Sequence, residues 1–312
     1  MSVSVILVSY NTADLTIRAI ECVYASIRES SFPADVLVVD NASHDDSVAR
    51  VRAKFPSVRL FESSTNLGFG AANNLAVASS DSQYVLLLNT DAFLQPESLT
   101  VLEQYMRVNP LVGVVGPTIL NADGTVQTAA WNFPSPLQSL FEYSGIGNLF
   151  PHVPLIGGYR KWNHSKTQRV PWLIGACILI RRSVFVDIGG FDSKFFMYAE
   201  ETDLQMRIRR AGFDIHLCAD TQVVHLGGGS GTTDSESVRR YFYTSQDLYM
   251  RKHYGALGLV LHRVIFGLCS TARCVVWGAL SILKGSSFRS SKAKAELYAF
   301  TAKRSLFKWS IK

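Results

Sequence analysis

The feature that most constrains this chain is a set of short, uninterrupted apolar runs separated by helical patterns. Residues 2–9 (SVSVILVS), 36–39 (VLVV), 84–88 (YVLLL) and 112–115 (VGVV) are strand-like, and residues 58–61 add a shorter one. Between them, residues 12–23, 45–55, 66–78 and 96–108 carry helical spacing or helix-start residues. Continuous apolar strands alternating with helices predict an α/β fold: a mostly parallel sheet covered by helices on both faces. Ligands of such sheets bind beyond the carboxyl ends of the strands. Tyr10, Asn11, Asp40, Asn41, Asn89 and Asp91 all fall at those ends.

The remainder is less regular. Residues 128–166 hold Pro, Gly, Trp and Phe without clear period, and are read as an acceptor-facing loop region. Residues 170–180 return to strand, 202–211 to helix, and 215–218 and 223–225 to two short strands. Residues 235–253 form an aromatic-rich amphipathic helix. The opening MSVSVILVSYN has no basic residues ahead of its apolar run, so the run is read as a first strand and not a targeting segment. The cysteines, Cys22, Cys177, Cys218, Cys269 and Cys274, are scattered with no CxxC pair, which points to reduced cytosolic thiols.

The net charge of +6 divides unevenly. From Arg251 onward there are twelve Lys/Arg against one acid, Glu296, a net +11 that leaves −5 for the rest. Domain organisation is therefore read as a mildly acidic body, residues 1–254, and a basic amphipathic tail, residues 255–312. Residues 264–283 are about long enough to span a bilayer, but Arg273 sits mid-way. An arginine there costs ~2.5–3.5 kcal/mol, while each Leu, Ile, Val or Phe returns ~0.3–0.6. The nine such residues only offset it. An interfacial helix on an anionic membrane is favoured over a spanning one, with the protein peripheral on the cytoplasmic face. The same tail could pack on the body or form a homodimer interface. Its apolar content argues against nucleic acid as partner.

Three motifs carry chemistry. Asn89-Thr90-Asp91 ends a buried strand, where a carboxylate can reach a divalent cation or merely cap a turn. Asp40-Asn41 can accept hydrogen bonds from a nucleoside or close an Asx turn. Glu200, Glu201 and Asp203 follow the apolar run FFMYA where a loop enters a helix; Glu200 and Asp203, at i and i+3, can share a face, and one acid could deprotonate a hydroxyl. Capping is the plainer role for such acids. His225 precedes Leu226-Gly227-Gly228-Gly229-Ser230, a cluster that permits close backbone approach to a ligand.

Six segments then occur in order: SVILVSYN, LVVDNASHDDS, NLGFGAANNLA, YVLLLNTDA, the long WLIGACILIRRSVFVDIGGFDSKFFMYAEETDLQMRIRRAGF, and VVHLGGGS. Together they resemble the family 2 glycosyltransferases, in particular the bacterial rhamnosyltransferase-like group, over residues 3–254. The resemblance implies a GT-A fold and inverting transfer from a nucleotide sugar, with Mg²⁺ or Mn²⁺ as cofactor. It implies a saccharide acceptor, lipid-linked given the tail. It assigns Ser9, Tyr10, Asn11, Asp40, Asn66, Gly68, Asn89 and Thr90 to the nucleotide, and Asp91 and His225 to the metal. Asn89 stands where the family often has Asp. Glu201 stands where the usual base is Asp, and the choice among Glu200, Glu201 and Asp203 stays open. Trp131 and Trp172 are candidate sugar-stacking residues, with core roles equally open. The donor leans to dTDP-rhamnose, with UDP-hexoses close behind. A nucleotidyltransferase is disfavoured because Tyr10-Asn11-Thr12 stands where a Gly-rich, basic phosphate loop is needed. A non-catalytic nucleotide or carbohydrate binder is the other alternative.

Overall fold

The structure is a computed structural model that describes residues 2–150, 153, 156, 162–227, 235–283 and 288–307. The chain forms two compact units, residues 1–133 with 162–245, and residues 134–161 with 246–312.

The first unit is built on a ten-stranded mixed sheet. Its strands are β1 (Val3–Ser9), β2 (Ala34–Asp40), β3 (Arg59–Glu62), β4 (Tyr84–Asn89), β5 (Ala92–Leu94), β6 (Val112–Leu120), β7 (Val126–Gln127), β9 (Gln168–Val170), β11 (Cys177–Arg181) and β12 (Asp214–His225). The order is β3-β2-β1-β4-β11-β6-β12-β5, with β7 beside β6 and β9 beside β12. β3, β2, β1 and β4 are mutually parallel, as is β12 with β6. β11 runs antiparallel between β4 and β6, and β5 antiparallel to β12. A separate pair joins β8 (Ala130–Trp131) to β10 (Trp172–Leu173).

Period-2 alternation sends successive strand residues to opposite faces. Val3, Val5 and Leu7 of β1 and Leu86 and Leu88 of β4 pack with Ile17, Ile20 and Val23 of α1 (Ala13–Arg28). The other core gathers Ile6, Val85 and Leu87. With α2 (Ser47–Lys54), α3 (Phe69–Ala78), α4 (Ser98–Val108), α7 (Arg182–Asp187) and α8 (Glu200–Arg210), both sheet faces are covered. Each fully buried aliphatic side chain contributes roughly 1.5–3 kcal/mol. The five cysteines are all free thiols.

The sequence reading differs from the fold in three places. The expected single strand over 170–180 is three short strands in different pairings, because β11 turns back antiparallel into the sheet centre. The expected pair over 215–218 and 223–225 is one strand, β12, with irregular register between Cys218 and Gln222. The region expected to be loop holds α5 (Pro136–Ser144), started by a Ser135 cap on Gln138 N–H, and α6 (Ile146–Leu149).

The second unit is helical. Most of α9 (Ser235–Leu283) and all of α10 (Phe288–Phe307) belong to it. α9 breaks at Gly255, whose φ of 71° suits glycine. Residues 237–282 are long and apolar enough to cross a bilayer, judged by length and composition. Within this unit Asp247 is buried and accepts from Arg263 at 2.8 Å and Arg304 at 3.0 Å.

Candidate active site

The carboxyl ends of β1, β4 and β12 border a cavity of about 310 Å³ in the first unit. Its walls include Asn89, Thr90, Asp91, Gly175, Tyr198, Glu200, Glu201 and His225.

Register explains why distant residues meet. β12 pairs with β5 so that His225 faces Ala92, next to Asp91, and Leu226 N–H donates to the Asp91 carbonyl at 3.0 Å. His225 Nε2 then lies 3.3 Å from Asp91 Oδ1. β11 pairs with β4, and Asn89 N–H donates to Ala176 O at 2.9 Å, bringing Gly175 to the cavity. A Cβ on Gly175 would touch Glu201 Cβ at 3.4 Å, so the glycine leaves the acidic helix close to the strand end.

Helix α8 begins from strained backbone. Tyr198 and Ala199 both occupy the left-handed region, at φ 68° and 63°. Such residues cost about 1–3 kcal/mol each and persist where the surroundings hold them. Ser245 Oγ donates to Met197 O at 2.7 Å, and the Phe196–Tyr241 and Tyr198–Phe242 ring pairs brace the same loop. Gln205, fully buried, exchanges two hydrogen bonds with the Leu173 backbone at 2.8 and 2.6 Å, tying α8 to β10.

The result is an acidic pair with no neutralising side chain among the described residues. Burial, and then the Glu201 charge, push the Glu200 carboxyl well above its usual range. Burial also raises Glu201, opposed by backbone N–H groups including that of Gly175. Oε2 of each is buried and has no hydrogen-bond partner among the described residues. Two close carboxyls share a proton more readily than they both ionise. The N–H donors mark Glu201 as the one that ionises first. Asp203 is not part of this pair: it is fully buried against Arg207 at 2.8 Å and away from the cavity walls. The i, i+3 pairing anticipated for Glu200 and Asp203 is thus replaced by adjacent Glu200 and Glu201.

The nucleotide candidates form a second cluster at the sheet edge. Asp40 is buried; its Oδ2 accepts from Ser43 N–H at 3.0 Å, while Oδ1 has no partner among the described residues. That orphaned acceptor suits a nucleoside N–H or hydroxyl. Asn41 links to Asn66 Oδ1 at 2.9 Å, and Asn66 Oδ1 accepts from Gly68 N–H at 2.9 Å. Asn11 has φ 53°; its side chain accepts from His44 N–H at 2.7 Å. Tyr10 is half-buried beside it. Ser9 turns inward to Thr16 at 2.9 Å, so its hydroxyl is engaged within the core, and Thr90 contacts Thr12 at 3.2 Å.

Trp131 and Trp172 face each other across the β8–β10 pair, neither on the cavity walls. Trp172 is buried and its indole N–H donates to Asn132 O at 2.9 Å. Gly228, Gly229 and Ser230 lie outside the described residues. Tyr198, Gly175 and Gln205 were not singled out from sequence, although the apolar run FFMYA before the acids held a hint of the first.

Asp91 and His225 place a carboxylate oxygen and an imidazole nitrogen on one wall, a donor set that suits Mg²⁺ or Mn²⁺. Among the described residues no three His, Cys, Asp or Glu side chains gather as a metal cluster. Protein would supply two ligands, leaving the rest to phosphate oxygens and water.

This strand order, with polar residues at the strand ends and a buried acidic pair at a helix start, defines a GT-A fold. Among solved structures the chain is similar to the mannosyltransferase PcManGT from Pyrobaculum calidifontis in complex with GDP-Man and Mn²⁺, with TM-score 0.56, 17% identity, and 99% of this chain and 88% of that one covered. It is also similar to GalNAc-T7 with UDP, GalNAc and Mn²⁺, with TM-score 0.55, 14% identity, and 82% and 49% covered. At these identities the likeness shows the fold alone. Residues 4–189 match the sequence profile of glycosyl transferase family 2, and the chain belongs to that family and is a glycosyltransferase. It is 32% identical over 236 residues to the N-acetylglucosaminyl-diphospho-decaprenol L-rhamnosyltransferase of Mycobacterium tuberculosis, covering 72% of this chain and 76% of that one. It is 28% identical over 202 residues to the rhamnosyltransferase WbbL of Escherichia coli, covering 59% and 70%.

Proposed function

We propose that this glycosyltransferase moves rhamnose from dTDP-rhamnose to a hydroxyl of a lipid-linked saccharide, with inversion. The observation that carries the reading is the single cavity holding Asp91, His225 and the Glu200–Glu201 pair. The relatives' names favour rhamnose as the sugar and, for the Mycobacterium tuberculosis enzyme, a polyprenyl-diphosphate-linked acceptor. A UDP-hexose is the second donor reading, since the GalNAc-T7 structure carries UDP on the same fold.

Glu201 takes the proton from the acceptor hydroxyl as that oxygen attacks the anomeric carbon. The new C–O bond forms opposite the breaking bond to phosphate, and the nucleoside diphosphate leaves with the electron pair. Glu200 keeps its proton, so the pair carries one negative charge. Asp40, Asn11 and Asn66 hold the nucleoside side. Asp91 and His225 would hold a divalent cation, which would supply positive charge for the departing diphosphate.

The test is nucleoside diphosphate release from dTDP-rhamnose, UDP-glucose, UDP-galactose and UDP-N-acetylglucosamine, with Mn²⁺, Mg²⁺ or chelator and a membrane lipid extract as acceptor. Metal-dependent turnover of dTDP-rhamnose is expected. Turnover of a UDP-hexose alone selects the second donor, and turnover unaffected by chelator overturns the cation. Asp91→Ala is expected to lose metal-dependent nucleotide affinity.

The tail is proposed to lie on an anionic membrane. Leu257, Leu261, Val264, Leu268, Val275 and Ile282 are all exposed and recur at three, four and seven residues, so they line one face of α9. The arginines are off that face: Arg263 is buried against Asp247, and the Arg273 guanidinium sits 5.6 Å from the Tyr298 ring centre. Truncation after Tyr254 is expected to abolish binding to anionic vesicles. Dimers without vesicle binding would assign the face to a second copy.

A further inference from the structure

We propose that Gln127 is the positioning residue of the Asp91–His225 pair, holding His225 in the tautomer whose Nε2 lone pair faces the cation site. The inference rests on the reading of that pair as the cation site.

The argument starts at the far end of a hydrogen-bond chain on the β6–β7 hairpin. Asp123 is exposed on the turn, and its Oδ1 accepts from Thr125 Oγ1 at 2.6 Å and from Thr125 N–H at 3.0 Å. These bonds hold the Asp123 carboxyl below its usual range, so it is an ionised, pure acceptor at neutral pH. The Thr125 hydroxyl must therefore donate to it. That leaves the Thr125 oxygen to accept from Asn121 Nδ2 at 2.9 Å. Asn121 is thus oriented with Oδ1 toward Gln127 Nε2, also at 2.9 Å. Gln127 then presents Oε1 to His225 Nδ1 at 2.7 Å. A carbonyl oxygen only accepts, so Nδ1 carries a proton, and in the neutral ring, the form that binds a cation, Nε2 carries the lone pair.

One charge at the turn fixes the direction of every link and, at the end, the tautomer of a histidine two strands from β7. Backbone pairing keeps the register: Gln127 lies opposite Ile119 in β6, and β6 pairs Leu120 with Val224 in β12, next to His225. In the neutral ring Nε2 therefore meets Asp91 Oδ1 lone pair to lone pair at 3.3 Å, an arrangement that a cation relieves. Outer partners of this kind orient metal-bound imidazoles and raise their basicity.

The experiment uses the full chain, metal-free and ¹⁵N-histidine-labelled, with His225 signals assigned by their loss in His225→Gln. At a pH where the ring is neutral by its ¹⁵N shifts, the wild type is expected to show a protonated Nδ1 and an unprotonated Nε2. Gln127→Met is expected to mix or reverse the tautomers and to weaken Mn²⁺ binding, measured with a nucleoside diphosphate present, by about ten-fold or more. Asp123→Asn leaves the cation site untouched and lets both amides turn over, so a smaller change in the same direction is expected from a folded protein. A neutral wild-type His225 ring protonated on Nε2, or unchanged ring signals and Mn²⁺ affinity in Gln127→Met, overturns the proposal. Absence of Mn²⁺ binding in a wild type with the expected tautomer sinks the cation reading while the relay stands.

Discussion

The two units each bury carboxylates, and they treat them in opposite ways. In the helical unit Asp247 is surrounded by cations, Arg263 on its own helix and Arg304 from α10. At the cavity Glu200 and Glu201 sit side by side with no cation, and with an orphaned oxygen each, among the described residues. Failure to find a partner is not a property of the helix, since Asp203, two residues from Glu201, is paired with Arg207. Satisfied buried charge holds helices together, whereas unsatisfied buried charge is stored for a reaction.

The largest expected effect comes from removing the stored charge. Glu201→Gln is expected to lower transfer by roughly 10²–10⁴-fold, the range for general-base loss, with nucleotide binding close to intact; full activity would remove Glu201 as the base. Next comes the satisfied cluster. Asp247→Asn leaves two arginines uncompensated and is expected to cost about 3–5 kcal/mol in denaturant unfolding, while an unchanged midpoint would make the cluster ornamental.

The pH responses should also oppose one another. His262, hydrogen-bonded to Ser139 at 2.9 Å, is driven down to about 4 by burial. Its folded value lies below the unfolded one, so its contribution is complete above pH 6.5 and is lost as pH falls through about 4. Between pH 7 and 5 this should cost roughly 2 kcal/mol, and His262→Gln should flatten that slope. Glu200 is raised, so its contribution is complete below 4.5 and is lost as pH rises through its folded value. Glu200→Gln is therefore expected to raise the Tm at pH 8 by roughly 2–4 °C and to leave it unchanged at pH 4. A gain at both pH values would put the effect in packing and not in charge.

Much of the sheet was legible because each apolar run needs two covered faces, and strand ends with polar residues had only one direction to point. Asp91 and His225, far apart in sequence, were assigned to one metal through the family resemblance, and the β12–β5 register brings them to 3.3 Å. The relation among the acids was less legible. Helical spacing alone puts Glu200 with Asp203, but Arg207, one turn on, captures Asp203, and a tie between Gln205 and β10 turns the helix start toward Gly175. The tryptophans show the same limit: a Trp–Trp pair across two-residue strands leaves no mark in periodicity. Gln127 was invisible because its role depends on a hairpin register and on a carboxylate four residues away.

Gly68 has φ 79°, and a Cβ there would stand 2.3 Å from Phe196 O, whose carbonyl also receives Phe69 N–H at 3.2 Å. The loop that follows Asn66 and the loop that leads to Tyr198 and Glu200 are therefore stitched main chain to main chain. A single methyl at residue 68 would be felt by both loops at once, and on the proposed reading by both substrates. Sequence drift in one loop is answerable to the other, and a change of donor preference introduced there would carry a change in acceptor handling with it.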